Sequence, residues 1–310
     1  MQKNILFGNG INIQYGGIKE YSNKAIMMRL LNNVTLNKYK DVFTGISKDE
    51  LIMLLNELSN IIKNISKWDK YFDGLFMLME IERMKKIYDK STPFEEIGLE
   101  DLFIALELQS NAYNDTENFR KTINQELKML ILDAIYNEGA VNRINYNGNF
   151  SNLVSCYDNI FTVNYDTNLD RYCNNVKHLH GSFNVLAPEY DSHSEYMRQH
   201  QLNNVVKGYE HMFSNAIMSW YWLEKYGQWL DKKSIYGVDE FEKMEGHLDI
   251  VGMSPTNDEQ LFILINESKL RNVTYFYKSD MDRINMAHKI KKPLTFTKVD
   301  KFWLNIENLK

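Results

Sequence analysis

The chain has 310 residues, of which 44% are hydrophobic, enough to bury a large core and too apolar for a disordered polypeptide. Its net charge of −5 supplies no global positive field to recruit nucleic acid or an anionic membrane. With only two cysteines, Cys156 and Cys173, and no C-x-x-C pair, neither a tetrathiolate zinc site nor a disulfide framework is expected, and both read as buried or partly buried free thiols.

The first ten residues, MQKNILFGNG, hold too short an apolar run for a secretory signal. No run approaches the roughly 18 apolar residues of a membrane helix, so a cytoplasmic protein without a membrane partner is expected. Residues 4–7 (NILF) form a short buried-strand pattern. They run into Gly8-Asn9-Gly10-Ile11-Asn12 and Gly16-Gly17, and then into an amphipathic stretch at 18–31. Strand, glycine turn and helix is the order in which backbone N–H groups can approach a phosphate, although G-x-G also occurs in ordinary tight turns.

From about residue 18 to 140 the chain reads as mostly helical. In 48–67, Leu51, Leu54, Leu55, Leu58, Ile61, Ile62 and Ile65 recur at steps of three and four. Ser47 with Glu50 fits a capping box at the start of that stripe. Segments 68–88, 99–109 and 116–136 continue the pattern, and Pro93 is the only proline in this half. A large helical insertion at 41–140 is therefore expected, within a single α/β domain spanning 1–310. The charge run at 80–90 reads as solvated helix faces, Met77, Met79 and Met84 as core fillers, and the Asn- and Gly-rich 137–152 as a loop returning to the sheet.

Two short apolar runs follow, at 160–163 and 176–179. The first ends in Asn164-Tyr165-Asp166 and the second in His180-Gly181-Ser182, so each reads as a strand whose C-terminal end carries polar groups. Open α/β sheets bind ligands at that edge. Residues 186–206, with His193 and His200, read as a surface loop or flap. In 209–230, Trp220, Tyr221, Trp222, Tyr226 and Trp229 point around more than one side of a helix, which implies burial on two faces or an interface.

The last third alternates strand (247–253), helix (258–266), strand (272–277), helix (281–290) and strand (294–297). Such alternation predicts a Rossmann-like parallel sheet flanked by helices. Between the first of these strands and helices lies Gly252-Met253-Ser254-Pro255-Thr256-Asn257-Asp258, where Thr256 or Asn257 is placed to cap the helix.

Taken together, these loops resemble the nucleotide-binding loops of the sirtuin superfamily, in particular the sirtuin-like domains of bacterial antiphage defence proteins. The resemblance rests on the Gly8–Asn12 loop, the T-x-N-Y-D turn at 162–166, L-H-G-S at 179–182, and the late G-x-S turn followed by an acidic residue (Gly252, Ser254, Asp258). It implies a nicotinamide dinucleotide held by Gly8, Asn9, Gly10, Asn12, Thr162, Asp166, Gly181, Ser182, Gly252, Ser254 and Asp258. Within that set Gly8, Gly10 and Asn12 would line the pyrophosphate, Asn164 with Asp166 would hold the nicotinamide ribose, and Gly252 with Ser254 would contact the adenosine end. Asn164 and His180 would be catalytic, His180 as the acid/base group. The chain departs from deacylating sirtuins in lacking a four-cysteine zinc ribbon and in placing Asn9 and Asn12 where alanine and serine usually stand. What the resemblance implies is therefore hydrolysis of NAD, without a metal, by a regulated defence effector acting through abortive infection.

Such an effector needs restraint, so a homo-oligomer or a separate activating protein is the expected partner. Two other readings remain on the sequence. One is a non-catalytic module that binds NAD or ADP-ribose; the other is a metal-dependent hydrolase in which His178 and His180, two residues apart on a strand, share a metal with Asp166 or Asp170.

Overall fold

The computed structural model describes residues 1–38, 40, 45–68, 75–112, 126–127, 130–131, 133–146, 149–180, 237–256 and 258–308. Six parallel strands, β1 (Lys3–Phe7), β2 (Asn159–Thr162), β3 (Val176–His178), β4 (Glu245–Val251), β5 (Lys269–Tyr277) and β6 (Leu294–Lys298), form one sheet in the order β3-β2-β1-β4-β5-β6. That is the strand order of a Rossmann-like α/β fold, with β1 at the centre and the direction of winding reversing between β1 and β4. The expected fold class is correct.

β1 is central because its sequence tolerates burial on both faces. Ile5, Leu6 and Phe7 are fully buried, as parallel strands covered on both sides require. Its one polar member, Asn4, is also buried and is fully used: Nδ2 donates to the Glu245 and His247 carbonyls at 3.0 and 2.8 Å, and Oδ1 accepts from Asn159 Nδ2 at 2.7 Å. One amide thus ties the central strand to both neighbours.

Phe7 meets Phe150 and Phe302 at ring-centroid separations of 5.7 and 6.3 Å. Phe302, Trp303 and Ile306 belong to a terminal helix, Val299–Asn308, which the strand-and-helix alternation did not include. Its apolar residues at i, i+1 and i+4 make it amphipathic. Around Phe150 the expected loop at 137–152 is also corrected. Asn137–Asn142 winds in short turns broken by left-handed Glu138 and Gly139 (φ 54° and 80°), and a short helix, Phe150–Val154, forms because burial of Phe150 and Val154 outweighs the low propensity of the surrounding asparagines.

At the N-terminus the helix begins earlier than the glycines suggest. Gly10–Gly16 is already helical, Gly17 breaks the chain with φ 97°, and helices Ile18–Tyr21 and Asn23–Thr35 follow, the latter capped by Ser22. The glycine turn itself is only Gly8-Asn9.

The described residues form two compact units, one containing Met1–Gly17 with the sheet and the terminal helix, the other built on Ile18–Val141. In the second, Lys48–Lys63 is helical with the expected Ser47/Glu50 capping box, and Leu51, Leu54, Leu55, Leu58, Ile61 and Ile62 are buried along one stripe. Helices Leu75–Ile87 and Leu99–Ala112 follow. Asp101, buried on the latter, accepts hydrogen bonds from Arg83 and from the Tyr88 hydroxyl. The expected flap at 186–206 and the aromatic segment at 209–230 lie outside the described residues, as do parts of the expected 68–88 and 116–136 helices. Among the described residues no helix is long and apolar enough to cross a membrane.

Candidate functional site

The C-terminal ends of β1, β2 and β4 lie side by side because the ladder registers align Phe7 with Thr162 on one side and with Val251 on the other. Each then leaves the sheet in a polar turn. The β1 and β4 turns touch through their backbones: Gly8 N–H donates to Val251 O at 2.9 Å and Gly10 N–H to Gly252 O at 2.8 Å. A Cβ on Gly8 would stand 2.6 Å from Gly252 O, and one on Gly10 2.4 Å from Gly252 Cα. These glycines are required by the meeting of two loops, and their N–H groups are engaged within the protein.

Thr162 is fully buried at the end of β2 and holds the strand ends in register. Its hydroxyl donates to Phe7 O at 3.1 Å and accepts from Asn164 N–H at 3.0 Å. That bond turns Asn164 toward β1, where its Nδ2 lies 3.4 Å from Gly8 O. Asn164 is 6% exposed, and its Oδ1 has no hydrogen-bond partner among the described residues.

Asp166, expected beside Asn164 on a ribose, is instead buried and saturated. Oδ2 accepts from Asn12 Nδ2 at 2.6 Å, and Oδ1 accepts from Asn168 N–H at 3.0 Å and Asn168 Nδ2 at 2.7 Å. Burial pushes the Asp166 carboxyl upward, against the pull of these donors and of the nearby His178. Asn12 Oδ1 in turn accepts from the Tyr146 hydroxyl at 3.1 Å. Burial first, and then the Asp166 charge, hold the Tyr146 phenol well above its ordinary range, so it stays a donor. Asn168 Oδ1 accepts from Ile144 N–H at 3.1 Å and from Arg171 at 2.8 Å. Tyr146, Asn168 and Arg171 were not singled out in the sequence. Together with Asn12 and Asp166 they make a closed network that braces the N-Y-D turn from below.

The two histidines within and just after β3 have separate partners. His178 places Nδ1 3.1 Å from Asn164 O and Nε2 3.0 Å from Asp170 Oδ2. Burial alone would depress its imidazolium, but the hydrogen bond and charge of Asp170, with the Asn164 carbonyl, outweigh it and raise the pKa. Both ring nitrogens of His178 are thus engaged within the protein. His180, 6% exposed, instead places Nε2 3.0 Å from Asp258 Oδ1, and its ring lies 6.1 Å from that of Tyr165. Among the described residues no group of three or more His, Cys, Asp or Glu side chains is arranged to hold a metal ion.

On the β4 side, Ser254 is exposed and self-contained, its hydroxyl 2.7 Å from Thr256 Oγ1. Asp258 occupies the N-cap position of the Glu259–Glu267 helix, where Thr256 or Asn257 was expected, yet its side chain makes no cap hydrogen bond. Asn257, Gly181 and Ser182 lie outside the described residues. Asn9 heads the Gly10–Gly16 helix without a side-chain cap, with Oδ1 3.4 Å from Asn12 Nδ2.

No protein-family model, curated protein or solved structure matches the chain. What the site can do therefore follows from its own chemistry. An uncharged amide with an open acceptor, Asn164, and a carboxylate-paired imidazole, His180, are carried on the ends of neighbouring strands. Asn164 lies by the β1 glycine turn, while His180 follows the edge strand β3 and is paired with Asp258 beyond β4. That combination suits orientation of a hydroxyl or a water and transfer of its proton.

Proposed function

We propose that this chain is an NAD glycohydrolase that releases nicotinamide and leaves ADP-ribose, used as a regulated effector of bacterial antiphage defence. The observation that carries the reading is Asn164 against the glycine turn of β1, beside the switch point of a β3-β2-β1-β4-β5-β6 sheet, with His180 on the same C-terminal edge paired to Asp258 from beyond β4. Dinucleotides bind at this position in Rossmann-like sheets. The sirtuin-like order of the loops adds to it.

In this reading Asn164 Oδ1 orients the nicotinamide ribose or the attacking water without adding a charge that would trap the cationic transition state. As the C1′–N bond breaks, its electron pair leaves with nicotinamide, which departs neutral. Water adds to the oxocarbenium carbon, and His180 accepts the proton the water loses. Asp166 is assigned to bracing the turn, because its oxygens already receive three donors inside the protein. No metal enters the scheme.

The test is incubation of purified protein with NAD, with and without candidate activating partners, following nicotinamide and ADP-ribose. Their release in equal amounts supports the proposal. Stoichiometric retention of NAD or ADP-ribose without turnover would favour a binding module instead.

A further inference from the structure

We propose that His178 is a positioning residue for Asn164: its ring stands as an imidazolium between Asp170 and the Asn164 carbonyl, and loss of its proton frees the turn that aims the Asn164 amide. The catalytic consequence rests on the glycohydrolase reading; the charged state of the ring does not.

Asn164 is aimed by its backbone more than by its own side chain. Among the described residues its one side-chain bond, from Nδ2 to Gly8 O, is long at 3.4 Å, whereas its peptide groups are held on both sides. The N–H donates to the buried Thr162 hydroxyl at 3.0 Å, and the carbonyl lies 3.1 Å from His178 Nδ1. Thr162 belongs to the same turn. The second hold comes from another strand, because the parallel register sets His178 of β3 opposite Thr162 at the end of β2.

Two oxygens face the ring, and neither can donate. Asn164 O is a carbonyl, and Asp170 Oδ2, 3.0 Å from Nε2, belongs to a carboxylate. Turning the ring over would set carbons against both. A neutral imidazole has one N–H and leaves a lone pair facing the other oxygen, while an imidazolium satisfies the two together. The His178 side chain is only 10% exposed, so little water reaches it to replace a lost bond.

The surroundings favour the charged form. Burial disfavours it, but the hydrogen bond and charge of Asp170, the Asn164 carbonyl and the charge of Asp166 together raise the His178 pKa above the usual 6.5. Asp170, on the 3-10 turn Leu169–Arg171, and Asp166, in the turn after β2, are the charged groups set against the ring among the described residues. When the proton leaves for solvent, the remaining N–H stays with the carboxylate, the stronger acceptor. Asn164 O then faces a lone pair on Nδ1, and the turn loses its hold from β3. That hold is complete below about pH 6.5 and lost as pH rises through the higher folded value. A general base acts in the opposite sense, losing activity as pH falls, so the two contributions separate on one profile.

The test uses the whole chain. The kcat for NAD should decline on an alkaline limb whose midpoint matches that of the His178 ring in ¹⁵N spectra, its signal being the one of seven lost in His178→Gln. The Asn164 side-chain amide signal, assigned by its absence in Asn164→Ala, should move with the same midpoint, above pH 6.5. His178→Gln cannot titrate, so its kcat should be about 10- to 100-fold lower with that limb gone and KM for NAD little changed. Asp170→Asn should bring both midpoints down by about half a pH unit, a modest shift because the carboxylate is 44% exposed and partly screened. Thermal midpoints that fall in both variants while the limb stays in place would make the pair merely structural and overturn the proposal. A ring midpoint at or below 6.5 would overturn it as well. Should the parent release no nicotinamide, the glycohydrolase reading falls and the spectra decide alone: a shared midpoint for His178 and Asn164 upholds the positioning, and separate midpoints overturn it.

Discussion

Gly10 and Gly252 meet backbone to backbone, with the N–H of one donating to the carbonyl of the other at 2.8 Å and room for a side chain on neither. A methyl on Gly10 would lie 2.4 Å from Gly252 Cα, and one on Gly252 2.8 Å from Gly10 Cα at a φ of 68°. Gly10→Ala should therefore destabilise by about 1–3 kcal/mol through overpacking. Gly252→Ala should lose a further 1–2 kcal/mol or so from the left-handed backbone. Gly17 has a φ of 97°, and a methyl there would meet nothing within 4 Å, so Gly17→Ala should lose only the backbone contribution. Denaturant midpoints of the three variants check the order; equal losses would mean that the loop contact contributes nothing.

The second prediction separates a brace from a ligand contact. Asp166→Asn replaces an oxygen that faces N–H donors with an amide that must present its own N–H to one of them. With the site buried, the loss should be on the order of 2–3 kcal/mol and should appear in the absence of any nucleotide. Tyr146→Phe, which removes one hydroxyl donor to Asn12, should cost about 1 kcal/mol. Thermal or urea unfolding of the free protein measures both. An Asp166→Asn variant as stable as the parent, yet defective in nucleotide binding, would return Asp166 to a place on the ribose.

The strands are legible in the sequence because burial on both faces leaves compact runs such as NILF and NIFTV, followed by Gly8 and Asn164. The motif residues also come together at one edge, since strand C-terminal ends are adjacent whatever the helices do. What is not legible depends on long-range partners. Tyr146 sits in an Asn- and Gly-rich stretch without periodicity, and its meaning comes from Asn12, 134 residues away. Asp166 belongs to the same turn as Asn164, but only the structure shows that its oxygens face inward. The glycines at 8, 10 and 252 look like phosphate-loop residues in isolation, and their close approach to each other appears only when two loops are placed. The helix at Gly10–Gly16 is hidden for a related reason: glycine at a helix start has poor propensity, and tertiary contact overrides it.

A third prediction concerns pH. On β4 and β5, His247 places Nδ1 2.6 Å from Asn272 Oδ1 and Nε2 2.8 Å from Asp249 Oδ1, while Tyr157 donates to Asp249 Oδ2 at 2.7 Å. The hydrogen bond to Asp249 raises the His247 pKa above its usual 6.5; burial opposes, and Asn272 and the Asp249 charge assist. A histidine whose pKa is higher folded than unfolded stabilises fully below the unfolded value, and that contribution is lost as pH rises through the folded one. The difference in thermal midpoint between the parent and His247→Gln should be greatest below about pH 6.5 and shrink as the pH is raised from there. A difference that grows with pH would contradict the pairing.

The last prediction addresses Asn164 and His180 together. Asn164→Ala removes an open acceptor at Oδ1 and a long 3.4 Å contact from Nδ2 to Gly8 O, while the Thr162 and His178 bonds to its backbone survive. The stability loss should accordingly be no more than about 1 kcal/mol. NAD hydrolysis should nevertheless fall by about 10²-fold or more, because the ribose or water loses its orienting partner. His180→Ala should lower turnover by about 10²–10⁴-fold, the usual contribution of a positioned acid/base group. If Asn164 orients and His180 moves the proton in the same step, the double variant should be little worse than the more damaged single one. Initial rates of nicotinamide release, read beside melting curves for all three proteins, decide it. Full activity in His180→Ala would make the histidine structural, and a well-folded but inactive variant of each residue would place both at the reacting bond.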